Sequence, residues 1–271
     1  MRDERADASY RTVFISDLHL GSYRSDAKSV LDFLESHRTE TLYLVGDVID
    51  LWSLRRHSAW RGDHIAVIRK LFALARSGTR VIVIPGNHDG PLAHFGEFGL
   101  EGIEVRHETV LETARGERFL VVHGHEQDPF FGGSSDLVAL LCGIGERIGE
   151  VLHRARRRGW LGARAEVRER WSEMRTAQTP SRFEMALVEA AQHAGVDGVI
   201  CGHSHAPADR MIAGLRYLNC GDWLSNCTAI TESWSGDMQL LRWGASVPVP
   251  AVEPVNPELW IGEDAAVMVQ R

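Results

Sequence analysis

The sequence predicts an α/β fold in which two mixed β-sheets pack on one another with helices outside. Three observations predict it: short β-branched runs recur along the chain, helical patterns separate the first three, and later runs sit around tight turns.

The central runs are V-F-I-S at 13–16, T-L-Y-L-V at 41–45, R-V-I-V-I at 80–84, R-F-L-V-V at 118–122 and G-V-I-C at 198–201. Each is apolar on both faces and bounded by glycine or polar residues, the pattern of a strand covered on both sides. Val30, Leu31, Phe33 and Leu34 precede the second run at helical spacing, and Ile65, Ile68, Leu71, Phe72, Leu74 and Ala75 precede the third. The resulting β-α-β-α-β order implies parallel strands, whose ligands gather beyond their carboxyl ends. Later runs read as antiparallel. E-V-R-H-E-T-V-L-E-T at 104–113 alternates and is expected to form a hairpin with 118–122 across Arg115-Gly116, and 215–219, 227–232 and 238–243 add strands. Between 129 and 182 the strand pattern stops, and 137–152 and 163–174 read as helices. The organisation expected is one domain over 10–245 interrupted by a helical insertion at 129–182, then a Pro-rich tail at 246–271.

A chain of 271 residues with 44% hydrophobic and 25% charged content supports one large core and excludes disorder of the whole. A net charge of −7 argues against a general electrostatic grip on nucleic acid. The opening M-R-D-E-R-A-D-A-S-Y lacks the apolar core of a secretory signal, and no window approaches the ~20 apolar residues of a membrane span. A cytoplasmic location is expected, with peripheral contact at the inner face of a membrane as a further option. Cys142, Cys201, Cys220 and Cys227 form no C-x-x-C pair and read as reduced, packed thiols.

The chemistry lies at the strand ends. V-F-I-S is followed by Asp17-Leu18-His19, T-L-Y-L-V by Gly46-Asp47-Val48-Ile49-Asp50, R-V-I-V-I by Pro85 and then Gly86-Asn87-His88-Asp89, R-F-L-V-V by His123-Gly124-His125, and G-V-I-C by Gly202-His203-Ser204-His205. Any one cluster is weak evidence, since a lone histidine is more often packed or solvated. Five in a row are not explained by core packing, because burying so many ionisable groups without partners is costly. Two divalent ions would hold them together: imidazole with carboxylate suits manganese, iron, zinc, cobalt or nickel, and a lone carboxylate such as Asp47 can bridge two ions.

In this order D-L-H, G-D-V-I-D, G-N-H-D, H-G-H and G-H-S-H resemble the signature of the calcineurin-like metallophosphoesterases, over Asp17 to His205. The resemblance implies two mixed sheets flanked by helices. It also implies one metal on Asp17, His19, Asp47 and His205 and another on Asp47, Asn87, His123 and His203, with His88 as a catalytic residue oriented by Asp50. A structural His88–Asp50 pair is the bland alternative. The segments T-L-Y-L-V-G-D-V-I-D-L-W, V-I-C-G-H-S-H-A-P-A and Y-L-N-C-G-D-W look like the UDP-2,3-diacylglucosamine diphosphatase family. That likeness implies a manganese enzyme that cleaves the pyrophosphate of a nucleotide-linked glycolipid of the lipid A pathway into UMP and an acylated sugar 1-phosphate. The best-known branch carries arginine where this chain has His88, and commonly H-G-D where it has His123-Gly124-His125.

Within the insertion, Arg154, Arg156, Arg157, Arg158, Arg164, Arg168, Arg170 and Arg175 are interleaved with Trp160, Leu161 and Trp171. Such a stretch suits an interface with anionic lipid or a lid over acyl chains, with Arg156, Arg157 and Trp160 as substrate contacts. The alternative is a solvated basic face over aromatics packed on the body. Arg55 and Arg56, just after G-D-V-I-D, are candidates for gripping a second phosphate. Two other functions compete: a soluble nucleotide or nucleic-acid phosphodiesterase, and a non-catalytic scaffold, against which stands the retention of every ligand and of His88.

Overall fold

The computed structural model describes residues 8–56, 60–95, 102–128 and 179–244. The elements run β1 (Ala8–Ile15), α1 (Ala27–Ser36), β2 (His37–Val45), α2 (Leu51–Arg56), α3 (Gly62–Arg76), β3 (Arg80–Ile84), β4 (Ile103–Val105), β5 (Thr109–Glu112), β6 (Arg118–Val121), α4 (Arg182–His193), β7 (Gly198–Cys201), β8 (Ala208–Ile212), β9 (Leu215–Asn219), β10 (Thr228–Glu232) and β11 (Met238–Arg242).

Six strands form one sheet in the order β11-β10-β1-β2-β3-β4, and five form a second in the order β5-β6-β7-β9-β8. Parallel strands β1 to β4 make up most of the first, with antiparallel β10 and β11 at one side. In the second, β6, β7 and β9 run parallel between antiparallel edges. The period-two alternation of each strand builds three apolar layers. Phe14, Tyr43, Val45, Ile82 and Ile84 turn inward to meet Phe119, Val121, Ile200 and Leu218 of the other sheet. Their neighbours Val13, Ile15, Leu42, Leu44, Val81 and Val83 turn outward onto Val30 and Phe33 of α1 and Val67 and Leu71 of α3. Leu187, Val188 and Ala191 of α4 cover Leu120, Val199 and Cys201. Asp26 caps α1, and Ser181 with Glu184 forms a capping box that starts α4.

The stretch 104–113 is not one hairpin arm. Its first half belongs to β4, parallel to β3 in the first sheet, and its second to β5, antiparallel to β6 in the second. Alternation fixes which residues face a core but not which core: Ile103 and Val105 enter the helix-covered layer, Leu111 enters the layer between the sheets, and exposed Arg106, His107 and Glu108 carry the chain across. Strand β8 has no sequence signal beyond its turn, because as an edge strand only Ile212 is buried. Ala213 and Gly214, with φ of 49° and 83°, make the tight turn into β9. Helix α2 is too short at six residues to show a period. Most of the expected insertion at 129–182 and the tail lie outside the described residues, as does Cys142; Cys201 and Cys220 are buried free thiols. Among the described residues no helix is long and apolar enough to cross a membrane.

Candidate metal centre

Strands β1, β2 and β3 of one sheet and β6 and β7 of the other deliver their carboxyl ends to the same rim, where five turns interlock. Asp17 donates its backbone N–H to Gly46 O at 3.0 Å and His19 to Asp47 O at 2.8 Å. Across the sheets, His203 donates its backbone N–H to Asp17 Oδ2 at 3.1 Å. The turns are sharp enough to force the ligand-type residues themselves into left-handed backbone. Asp17, His19, Asp47, His203 and His205 all have φ between 45° and 64°, and among the described residues only Ala213 and Cys227 join them as non-glycine cases. Side chains rarely tolerate this region, so the strain is concentrated where the polar groups converge.

The crowding explains two glycines. A Cβ at Gly46 would run into the His123 ring, and one at Gly86 would run into Asp47 Oδ1. Only hydrogen at these positions lets the loops approach.

Asp17, His19, Asp47, His88, His123 and His205 are gathered into three overlapping triads, each with ligand atoms within 4.8 Å of one another: Asp17–His19–His205, Asp17–Asp47–His123 and His19–Asp47–His88. Asp47 Oδ2 lies between the two halves, 3.5 Å from His123 Nε2 and 3.8 Å from His19 Nε2. His88 thus shares a triad with His19 and Asp47. His203 stands outside these triads, its ring 5.3 Å from that of His123.

Five imidazoles here, His19, His88, His123, His203 and His205, each have one nitrogen turned to an oxygen. His123 Nδ1 is 2.9 Å from Val45 O and His88 Nδ1 is 3.1 Å from Asp50 Oδ1. His203 Nε2 is 2.9 Å from Asp128 Oδ2, and His205 Nδ1 faces Asp222 Oδ2 at 3.5 Å. His19 Nδ1 faces Asp50 Oδ2 at 3.6 Å, so Asp50 serves two rings and is itself fixed by the N–H and hydroxyl of Ser53, each 2.8 Å away. Carboxylates and carbonyls can only accept, so each nitrogen in such a bond carries the proton, and the opposite nitrogen is the one left for a ligand. Trp52 closes over His88 with ring centroids 4.1 Å apart.

Charge follows the same map. Burial opposes protonation of His123, but the Asp47 carboxylate overrides it and lifts the imidazole to about 9. Burial likewise opposes His205, and Asp17 and Asp222 lift it to about 9. Asp47 and Asp17 lie below the usual carboxylate range despite full burial, held there chiefly by His123 and His205 respectively. Burial, reinforced by the nearby Asp47 charge, raises Asp89 to about 6. Protons on these rings neutralise carboxylates that a divalent cation would neutralise more fully.

The donor set fits metal ions by a further criterion. Asp17 Oδ1, Asn87 Oδ1 and His123 Nε2 are buried without any hydrogen-bond partner, though Asp17 Oδ1 lies 3.1 Å from His205 Nε2. Leaving a buried polar atom unpaired costs about 1–3 kcal/mol, and Asp17 and His123 share a triad with Asp47. Asp17 Oδ1 and Asn87 Oδ1 have lone pairs to offer a cation, and His123 Nε2 gains one when its proton leaves.

The other expected contacts lie on the exposed surface or outside the described residues. Arg55 is exposed on α2, the Arg56 side chain lies outside the described residues, and so do Arg156, Arg157 and Trp160. His125 lines a cleft of about 410 Å³ with His107, Glu108 and Gln127, and burial together with His123 lowers it to about 4. The reading of the sequence passed over Asp128, Asp222 and Asp89. Asp222 lay inside Y-L-N-C-G-D-W, and Asp89 inside G-N-H-D, but only their contacts reveal what they hold.

The family model described as calcineurin-like phosphoesterase matches residues 10–207. A protein of Cellvibrio japonicus named UDP-2,3-diacylglucosamine hydrolase is 27% identical over 260 residues, covering 86% of this chain and 98% of its own. One of the same name in Porphyromonas gingivalis is 26% identical, covering 84% of this chain and 95% of its own. Among solved structures, an archaeal phosphodiesterase is similar at 14% identity with a TM-score of 0.43, over 85% of this chain and 98% of its own. The family match spans well over half of the chain and includes every strand end that contributes to the centre, so this protein belongs to the calcineurin-like phosphoesterase family and is a phosphoesterase.

Proposed function

We propose that the chain hydrolyses a pyrophosphate or phosphodiester bond with two divalent ions, one held by Asp17, His19, Asp47 and His205, the other by Asp47, Asn87, His123 and His203, with Asp47 shared. The triads Asp17–Asp47–His123 and Asp17–His19–His205, each with ligand atoms within 4.8 Å of one another, carry this reading. Ions held there would lower the pKa of water and neutralise charge on the phosphoryl oxygens. The remaining work belongs to side chains. Asp50 accepts the Nδ1 proton of His88 at 3.1 Å, which leaves Nε2 to stabilise a phosphoryl oxygen or to protonate the departing one. Trp52 and His19 flank the ring, at centroid distances of 4.1 and 4.6 Å, and hold its plane. Manganese is the proposed metal, with zinc, iron, cobalt and nickel as alternatives for this mix of imidazole and carboxylate.

For the substrate we propose UDP-2,3-diacylglucosamine, cleaved to UMP and the acylated sugar 1-phosphate, on the strength of relatives of that printed name that align over nearly their whole length. On that reading the basic, Trp-bearing stretch within 129–182 meets acyl chains or an anionic membrane surface, and the proposed location is the cytoplasm, peripheral to the inner face of the membrane. A second reading, a soluble nucleotide or nucleic-acid phosphodiesterase of the same family, is favoured by His88 itself, an imidazole where the best-known glycolipid branch has arginine. The test is an assay with Mn²⁺ offering UDP-2,3-diacylglucosamine, UDP-N-acetylglucosamine, bis-p-nitrophenyl phosphate and a short single-stranded DNA. UMP from the acylated substrate alone is the expected result; cleavage of the generic diester or DNA with no UMP moves the protein to the second reading.

A further inference from the structure

We propose that Asp89 is a positioning residue for the metal centre: its carboxylate staples the turn that carries Asp47 to the turn that carries Asn87 and His88. Asp89 is fully buried and spends both oxygens on backbone. Oδ2 accepts the N–H of Val48 at 2.7 Å and of Ile49 at 3.2 Å, while Oδ1 accepts the N–H of Gly86 at 2.6 Å. These three donors lie just past the ends of β2 and β3, where the sheet no longer supplies partners, and buried N–H groups require one. Asp47 returns the brace, its Oδ1 accepting the N–H of His88 at 2.8 Å. The two turns are therefore cross-linked in both directions, each by the other's carboxylate.

A local turn would need only the Gly86 bond. Reaching Val48 and Ile49, about forty residues earlier in the chain, serves the position of Asp47. Burial beside the Asp47 charge is costly for a carboxylate, and a neutral asparagine would avoid it. Asparagine, however, accepts on one side only: its NH₂ would face either Gly86 N–H or the Val48 and Ile49 pair, donor against donor. Both turns are satisfied together only by two acceptor oxygens. The tolerance for slippage is small, since Asp47 Oδ1 already fills the place a Gly86 Cβ would take.

The inference rests on the metal-centre reading, and the experiment separates them. Mn²⁺ affinity and metal-free melting temperature are measured for the wild type and for Asp89→Asn. The expected result is Mn²⁺ binding to the wild type that weakens about 10–100-fold in the variant, as for other partners that orient ligands, with recovery of turnover at high Mn²⁺ and a lower metal-free melting temperature from the buried N–H groups left unpaired. Affinity within twofold of wild type, or a lower melting temperature with no change in affinity, overturns the staple and leaves the metal centre standing. A wild type that binds no divalent ion overturns both. If the variant does not fold, amide hydrogen exchange in the metal-free wild type decides: Val48, Ile49 and Gly86 are expected to be protected like strand amides, and free-loop exchange rates refute the staple.

Discussion

Asp47 and His88 are joined through the chain as well as through the site: Asp47 Oδ1 accepts the backbone N–H of His88 at 2.8 Å, while Oδ2 faces His19 and His123. One carboxylate thus fixes the turn that presents His88 and takes part in two of the three ligand triads. The two residues should then fail differently. Asp47→Ala is expected to lose metal and turnover together, whereas His88→Ala keeps near-wild-type metal content and loses about 10²–10⁴-fold in turnover. Metal analysis of both purified variants beside their rates checks this, and equal metal loss would make His88 a ligand, as its membership of a triad with His19 and Asp47 allows.

Asp222 should matter to His205 through proton placement. Its Oδ1 accepts the N–H groups of Leu224, Ser225 and Asn226 at 2.7–3.0 Å, which leaves Oδ2 to Asn226 Nδ2 and His205 Nδ1. In Asp222→Asn the oxygen stays with the three N–H groups and an NH₂ turns toward Nδ1, which favours a proton on Nε2, the nitrogen that faces Asp17. Metal affinity is expected to fall about 10–100-fold. Calorimetric titration of the variant measures it, and nitrogen NMR of the imidazole reports the tautomer.

Two glycines in one turn give a matched pair. Gly86→Ala places a methyl on Asp47 Oδ1, whereas a Cβ at Gly90 meets nothing within 4 Å. The first is expected to lose metal binding and to destabilise by about 1–3 kcal/mol as an overpacked site, the second to stay within about 0.5 kcal/mol of wild type. Thermal melts with and without Mn²⁺ distinguish them.

Metal binding should release protons. His123 and His205, at about 9 in the metal-free protein because Asp47 and Asp17 outweigh burial, carry protons at neutral pH that must leave before Nε2 can act as a ligand. Raised pKa values mean that protons compete below that range, so affinity rises with pH from 7 to 9, by about tenfold per pH unit for each proton displaced. Titrations in buffers of different protonation enthalpy count the protons, and a pH-independent affinity would place the ligands elsewhere.

The proposed role of the insertion has its own test. Arg156→Glu with Arg157→Glu is expected to reduce hydrolysis of an acylated substrate at least tenfold more than that of bis-p-nitrophenyl phosphate, since each basic residue near an anionic surface contributes about 1 kcal/mol. Equal losses on both substrates would end the lipid reading.

What the sequence alone determined was local and repetitive. The apolar runs at 41–45, 80–84 and 198–201 are strands because both their faces are covered, and each central run is followed by a glycine, carboxylate or imidazole cluster because the turn and the chemistry occupy the same few residues. Those signals survive in one dimension. Only the tertiary structure decided which sheet each half of 104–113 joins, since alternation names a face and not a partner. It also decided that Asp50 serves two rings, that Asp128 and Asp222 stand behind His203 and His205, and that Asp89 ties two turns together. An aspartate that accepts from a backbone N–H forty residues away looks like any other aspartate in the sequence; the folded chain brings that N–H out of water, and burial makes its partner obligatory.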